Sequence, residues 1–484
     1  MKILFIYPDI GTHGINFCPA IHILSAVIKN LGHKVDMLHI NNAFGIEYDK
    51  NIILQKAQGY DLFAFTATSF NYFYANEIAG WLEGLKILGG CHATIQPEDF
   101  EGSNFDMFCI GEGEETMSEL VTALDTGKEW KDIPGLITRF GSNKSRGFLK
   151  DLNKLPFNDY DIINTQRILE NNSGWFSISF SRGCPYACTF CINQLYKDIN
   201  LKTGKVSEYM RKRTPSNSVD EMLSLISKYD IKIFNLDDDL LTMDRDWMRE
   251  FTFLYKNSIF KPHGIKYAIN SRASFLDDEM AFMLGESGCR EVRIGFETGN
   301  EKLRNQLLKK NISNDALIKA CQNLDKYSVN TDFFAMMGVP GETKETIQDT
   351  IDMVIKTKPK LIRMNFLHPY KHTRIYDYCV KNNLFKEEYN SDNDRTESPL
   401  KFLGLSDKDI FSAKFFFPWY VNNDMFNSKE YSDAIDYFKY IPFIDIKKMI
   451  PFIINMDNEL SESCQQDHYR YMPENSNYFI FKKI

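Results

Sequence analysis

Strand-like apolar runs alternate with helix-like amphipathic segments twice along this chain of 484 residues, which points to α/β architectures built on parallel sheets. In the first stretch Lys2–Tyr7 is a continuous apolar strand, the pattern of a sheet buried on both faces. Ile21, Leu24, Ile28 and Leu31 follow at helical spacing, with Gly32 placed to end the helix. Val35–Ile40, Asp61–Ala67, Lys86–Gly89 and Asp106–Ile110 read as further strands, and Asn71–Leu85 and the segment from Glu115 to Leu120 as helices. The spacing predicts an open parallel-sheet domain, Rossmann-like and flavodoxin-type, over residues 1–140. Ligands of such a sheet bind at the C-terminal ends of its strands.

The second stretch, residues 171–380, shows strand–helix units with strands near Trp175–Ser181, Ile231–Leu236, Ile265–Ile269, Glu291–Gly295, Thr331–Met337 and Leu361–Leu367. Val219, Leu223 and Ile226 mark one apolar helix face, Trp247, Phe251 and Leu254 another, and Ile347, Ile351 and Val354 a third. By analogy with the eight-unit form, such units curl into a partial (β/α)6 barrel. A polar connector, residues 141–170, reads as a linker. Residues 381–484 read as a mixed, mainly helical region. Its aromatic pieces Phe415–Tyr420 and Tyr437–Phe443 are expected to pack as core or lid, the alternatives being an apolar substrate pocket or a membrane-surface contact.

Directly after the first strand of the second stretch runs Arg182-Gly183-Cys184-Pro185-Tyr186-Ala187-Cys188-Thr189-Phe190-Cys191. A four-iron, four-sulfide cluster takes one thiolate per iron, so Cys184, Cys188 and Cys191 would leave one iron open to substrate or cofactor. A three-thiolate zinc site is the competing reading, but zinc motifs usually show paired C-x2-C units or a nearby histidine, and the next histidine here is His263. The other cysteines are scattered, which argues against a secreted disulfide framework and fits a reducing cytoplasm. A net charge of −8 disfavours nucleic acid as an obligatory partner. No apolar run is long enough for a transmembrane segment, and the N-terminus lacks a signal pattern.

Other chemistry-bearing segments fall at the same strand ends. Asp237-Asp238-Asp239 follows the second strand, Asn270-Ser271-Arg272 the third, Phe296-Glu297-Thr298-Gly299 the fourth, Gly338-Val339-Pro340-Gly341-Glu342 the fifth and Pro369-Tyr370 the sixth. Barrel active sites form at that end.

The cysteine run resembles the signature of the radical S-adenosylmethionine (radical SAM) superfamily, whose last gap ends in an aromatic residue, here Phe190. The resemblance implies a [4Fe-4S] cluster whose open iron chelates the amino and carboxylate groups of S-adenosylmethionine (SAM), and a flavodoxin- or ferredoxin-type electron donor. Asp237 and Asp238 are then expected to accept from the SAM ammonium, with Asp239 facing elsewhere, and Arg272 to clamp its carboxylate. Glu297 is expected at the ribose and the Gly338–Pro340 turn near the adenine. Family members often carry Pro-x-Pro-Gly-Thr after the sixth strand. This chain has Pro369-Tyr370-Lys371-His372-Thr373, which brings Tyr370 and His372 forward as weak candidates for proton transfer.

The loops of the first domain, Gly89-Gly90-Cys91-His92-Ala93-Thr94 and Gly111-Glu112-Gly113-Glu114-Glu115-Thr116, resemble those of the cobalamin-binding domain of cobalamin-dependent radical SAM enzymes. Gly89, Gly90, His92, Gly111, Glu112 and Gly113 are accordingly expected to contact cobalamin. The familiar D-x-H-x-x-G motif is absent: Asp9-Ile10-Gly11-Thr12-His13-Gly14 has a different spacing. His13 and His92 therefore read as ordinary loop histidines rather than cobalt ligands, an arrangement common among the radical SAM methylases that the chain resembles. The implied activity is methyl transfer from methylcobalamin to an unactivated centre through a 5′-deoxyadenosyl radical. The alternatives are a cobalamin-binding cyclase or rearrangement enzyme, and a radical SAM enzyme whose first domain binds no corrinoid. The substrate, whether small molecule, lipid or peptide, is left open.

Overall fold

The computed structural model describes residues 1–10, 17–42, 45–144, 146–201, 208–387, 397–472 and 475–483. His13 and its neighbours in the first loop lie outside the described residues. The chain divides into two compact units, one of Met1–Pro185, Ile192–Asp239 and Asn257–Lys266, the other of Tyr186–Cys191, Leu240–Lys256 and Tyr267–Ile484.

The first unit opens with β1 (Lys2–Pro8), α1 (Pro19–Asn30), β2 (Lys34–Ile40), α2 (Lys50–Lys56), β3 (Leu62–Thr66) and α3 (Tyr72–Trp81). It continues with β4 (Leu85–Gly89), α4 (Gly90–Ile95), β5 (Met107–Cys109), α5 (Glu114–Thr126), β6 (Leu136–Thr138) and β7 (Gly141–Ser142). These strands form one sheet in the order β2-β1-β3-β4-β5-β6-β7. β1 to β5 are parallel, as the alternation predicts, and β6 and β7 extend the edge antiparallel. The continuous apolar run of β1 has the expected cause: Ile3 and Phe5 pack with Ile21, Ile28 and Leu120 on one face, Leu4 and Ile6 with Phe63, Ile78 and Phe108 on the other. Pro19 opens α1, where its missing N–H is not needed, and Gly127 ends α5 in a left-handed conformation.

After α6 (Thr165–Asn171) the unit adds β8 (Trp175–Ile178), β9 (Ser181–Arg182), α7 (Asn193–Leu201), β10 (Arg211–Lys212), α8 (Pro215–Ile226) and β11 (Ile233–Leu236). β8 and β11 pair in parallel and β9 and β10 antiparallel. Residues 141–170, read as linker, thus carry β7, α6 and short 3-10 turns at Leu152–Lys154 and Tyr160–Ile162.

The second unit holds α9 (Arg245–Tyr255); α10 (Lys261–His263) is a single turn of the first. It continues with β12 (Lys266–Ser271), α11 (Asp278–Glu286), β13 (Cys289–Glu297), α12 (Asn314–Lys326), β14 (Asn330–Met337), α13 (Lys344–Thr357) and β15 (Leu361–Phe366). β12 to β15 pair in sequential parallel order. Then come α14 (Arg374–Lys381), α15 (Asp407–Phe415), α16 (Phe417–Phe426), α17 (Lys429–Lys439), α18 (Phe443–Lys448), α19 (Ile450–Ser463), β16 (His468–Met472) and β17 (Asn475–Lys482). The terminal hairpin β16–β17 lies antiparallel on β15, a pairing the helical reading of this region did not anticipate. Of the two aromatic pieces, Phe415, Phe416, Phe417 and Trp419 are core. In the other, Phe438 is buried while Tyr437 and Tyr440 face solvent. No helix of the described residues is long and apolar enough to cross a membrane.

Candidate active site and cofactor cavity

The cysteine loop leaves β9 under close restraint. Asp238, buried just past β11, takes the N–H groups of Phe180 and Ser181 at 2.8 and 2.5 Å and the Ser181 hydroxyl at 2.6 Å on one oxygen. Burial lifts its carboxyl to about 7 against the pull of those donors. The loop then turns at Gly183, whose φ is +95° and where a Cβ would stand 2.4 Å from the carbonyl oxygen of Tyr209. Glycine alone suits that backbone and that gap. Arg182 is held by two carboxylates of the turn between β5 and α5: Glu112 at 3.1 Å and Glu114 at a short ion pair. Glu112 also meets Arg211 at 2.8 Å and accepts from the Leu149 N–H at 2.9 Å. Burial pushes Glu112 up, but the Arg211 hydrogen bond and the charges of Arg182 and Arg211 prevail and hold it below its ordinary value.

Glu112, Glu114, Arg182, Gly183, Tyr209 and Arg211 form part of the wall of a cavity of about 560 Å3 within the first unit. The wall gathers the C-terminal ends of β1, β3, β4 and β5, as expected for an open parallel sheet. Gly89, Gly90, Gly111, Glu112 and Gly113 all line it, together with Arg182 and Gly183. At Gly90, φ is +88° and a Cβ would meet the Thr66 hydroxyl at 2.5 Å, so the start of α4 lies against the β3 loop with no room for a side chain. His92 is elsewhere: it is buried, stacked on Tyr72 at 3.7 Å, and faces Asp99 at 3.2 Å without reaching the cavity wall. It lies on α4, away from the residues that line the cavity. Of the three acids after β11, Asp237 is exposed and accepts from Asn235 at 2.7 Å. Asp239, expected to face elsewhere, lines the cavity and accepts from Asn193 at 3.0 Å, itself held by the Tyr209 hydroxyl at 2.6 Å. With a mostly apolar wall, glycine-lined strand ends and amide and guanidinium donors, the cavity suits a large, flat ligand with a polar rim.

From Tyr186 to Cys191 the cysteine loop belongs to the second unit. Cys188 is buried, and Cys184 and Cys191 are half-buried. Arg272 lies over the Tyr186 ring at 3.5 Å, donates to Cys188 Sγ at 3.9 Å, and makes a short bond to the Lys310 carbonyl. Phe190 packs into a cluster with Leu308, Val339, Leu367 and Ile375. Thr189 donates to the Leu307 carbonyl at 2.9 Å and accepts from the Ile375 N–H at 3.0 Å. Glu297, at φ +63°, is ion-paired at 2.5 Å with Lys310, whose ammonium occupies the space a side chain at Gly295 would fill. Sequence reasoning missed Lys310 because it sits past the end of β13 with no motif around it.

The Gly338–Glu342 turn is internally closed: the N–H groups of Gly338 and Val339 donate to Glu342 at 2.6 and 3.2 Å. Burial lifts Glu342 to about 8. Gly338 has φ +81° and faces Ser398, and Pro340 completes the turn. Tyr370 is exposed and its carbonyl caps Thr373; His372 takes φ +65° in the same turn.

Among the described residues no three His, Cys, Asp or Glu side chains are grouped tightly enough to share a single metal ion. Three thiols spaced along one loop fit an object that offers each of them its own iron.

The sequence model of the Radical SAM superfamily matches residues 178–354. The chain is 26% identical over 335 residues to an uncharacterized methyltransferase of Pyrococcus horikoshii, covering 67% of this chain and 70% of that protein. It is 24% identical over 307 residues to the anaerobic magnesium-protoporphyrin IX monomethyl ester cyclase of Rubrivivax gelatinosus, covering 60% of this chain and 52% of the cyclase. Among solved structures, the cobalamin-dependent S-adenosylmethionine radical enzyme OxsB, with aqua-cobalamin and S-adenosylmethionine bound, superposes with a TM-score of 0.68 at 13% identity, over 95% of this chain and 74% of OxsB. Residues 178–354 thus match the Radical SAM superfamily, and the chain shares the fold of OxsB.

Proposed function

We propose that the protein is a cobalamin-dependent radical SAM methyltransferase. The single observation that carries this reading is the cavity: the glycine-lined strand ends of the first unit and the residues leading into Cys184 share one wall. The P. horikoshii methyltransferase and the bound cobalamin of OxsB support the same reading. In it, residues 1–140 are the corrinoid domain, 171–380 the radical SAM core and 381–484 a substrate or lid region. Cys184, Cys188 and Cys191 hold the cluster. When bound, the reduced cluster with SAM supplies a hydrogen-abstracting radical and cobalamin a transferable methyl group.

The chain's own residues bind and orient. Asp238 fixes the strand from which the cysteine loop springs, a role its three donors suit better than contact with the SAM ammonium. Arg272 positions Cys188 through its contact with the sulfur, in place of a clamp on the SAM carboxylate. Glu297 and Lys310 offer a buried carboxylate–ammonium pair to a zwitterionic ligand. Phe190 and the closed Gly338–Glu342 turn keep water from the loop. The electron donor is of flavodoxin or ferredoxin type, and the acceptor is a small molecule, lipid or peptide.

The test is anaerobic reconstitution with iron, sulfide and hydroxocobalamin, followed by incubation with SAM and reductant. The expected result is near-stoichiometric corrinoid and release of 5′-deoxyadenosine. Cys188→Ala is expected to lose iron and 5′-deoxyadenosine together; cleavage retained in that variant sinks the assignment. Protein with cluster but no corrinoid recasts the first unit as a recruitment module. The likeness to the cyclase keeps ring formation as the second reading: S-adenosylhomocysteine and a product heavier by one methylene mark methylation, and neither appears in cyclisation.

A further inference from the structure

One charged network in the first unit runs from the cavity wall to the start of the cysteine loop. Arg182 and Arg211 stand opposite each other on the β9–β10 ladder. Like charges so placed repel. Glu112 bridges them, one oxygen on each guanidinium, and Glu114 takes the remaining arm of Arg182. Two cations are thus balanced by two carboxylates from a single glycine-flanked turn, Gly111 to Glu114. The side chains are 29% exposed for Arg182, 18% for Glu112, 7% for Glu114 and 6% for Arg211. Ion pairs this far from water contribute little net stability, yet losing one member leaves an uncompensated charge, so they specify geometry. All four residues line the cavity, and Arg182 and Gly183 run directly into Cys184.

We propose that this network couples the cavity to the cysteine loop, so that corrinoid and cluster bind the protein cooperatively, with Glu112 and Arg182 as positioning residues. The inference rests on the proposed function for the identity of the two occupants. A ligand against the Gly111–Glu114 turn favours the arrangement in which Glu112 and Glu114 grip Arg182, and that grip presets the backbone leading to Cys184. A cluster on the cysteines favours the same arrangement from the other side. Such coupling is reciprocal by linkage.

The experiment titrates hydroxocobalamin, by its absorbance change, into chelator-stripped and cluster-reconstituted full-length protein. The expected result is a Kd at least about tenfold tighter in the reconstituted state. In Glu112→Gln, which keeps the side-chain size but leaves the two arginines facing each other unbalanced, the ratio is expected to fall to about one. Should that variant fail to fold by circular dichroism, Arg182→Lys, which keeps the charge and loses the forked contact, is expected to lower the ratio as well. An unchanged ratio in a folded variant overturns the proposal, as does a ratio of one in the unaltered protein; either result leaves the two-cofactor enzyme standing. Protein that takes up no corrinoid in either state removes the occupant and overturns both readings.

Discussion

Gly183 shows how much one residue can determine next to a cofactor loop. Its φ of +95° lies in the region that side chains avoid, and the space for a Cβ is taken by the Tyr209 carbonyl at 2.4 Å. A left-handed conformation alone costs a non-glycine residue about 1–2 kcal/mol, and the overlap with the backbone of the turn that leads into β10 adds to it. Gly183→Ala is therefore expected to move the β9–β10 ladder and displace Cys184. Iron bound after reconstitution should drop well below the level of the unaltered protein, with a lower thermal midpoint. Full iron loading in the alanine variant would show that the loop tolerates the shift. The proposed cluster ligands were legible in the sequence, because the spacing of three cysteines is local information. Their supports were not: Arg182 meets Glu114 across 68 positions and Asp238 reaches back 57 to Ser181. Neither partner carries a mark of the pairing in its own neighbourhood. The Glu-Gly-Glu turn opposite an isolated arginine was the one available hint, and charge balance alone does not choose among so many acids.

At the scale of elements, period and turn chemistry predicted the parallel strands of both stretches, since a run such as Lys2–Tyr7 carries its own evidence of burial on two faces. Helix α2 escaped because Lys50–Lys56 is short and holds a single fully buried side chain, Ile53. The hairpin β16–β17 escaped because its partner β15 lies more than a hundred residues earlier, Leu361 opposite Ile480. The junction of β14 and α13 is a turn whose chemistry the sequence did show but whose electrostatics it did not. Glu342 closes that turn while buried, and its carboxyl is raised to about 8. Between its unfolded value and about 8 the folded protein holds a proton that the unfolded chain has released. Unfolding then releases a proton, so this group's contribution to stability falls as pH rises through that window and is level beyond it. Glu342→Gln removes the titration and keeps an acceptor for the Gly338 N–H. The denaturant midpoint of the unaltered protein is expected to fall from about pH 5.5 to about pH 8.5 more steeply than that of the variant. Parallel profiles would mean that the carboxylate is ionised in the fold throughout.

For the whole molecule, the path of the chain matters as much as the elements. It passes between the two compact units at Pro185/Tyr186, Cys191/Ile192, Asp239/Leu240, Lys256/Asn257 and Lys266/Tyr267. Ordinary domain boundaries fall in a linker that few contacts cross, and each domain is then a nearly continuous segment able to unfold by itself. Here the segment Ile192–Asp239 of the first unit is anchored at both ends in the second, and Leu240–Lys256 of the second is anchored at both ends in the first. If one unit unfolded alone, its inserted segment would become a loop pinned at its ends by the folded partner, which gains less conformational entropy than a free chain. The entropy that drives separate unfolding is thereby reduced for both units, and a single cooperative transition is the expected outcome. Urea unfolding followed by tryptophan fluorescence and by far-ultraviolet circular dichroism should give coincident curves, although the first unit holds Trp81, Trp130 and Trp175 and the second Trp247 and Trp419. Two resolved transitions would show that interleaving of the chain does not bind the units into one folding event.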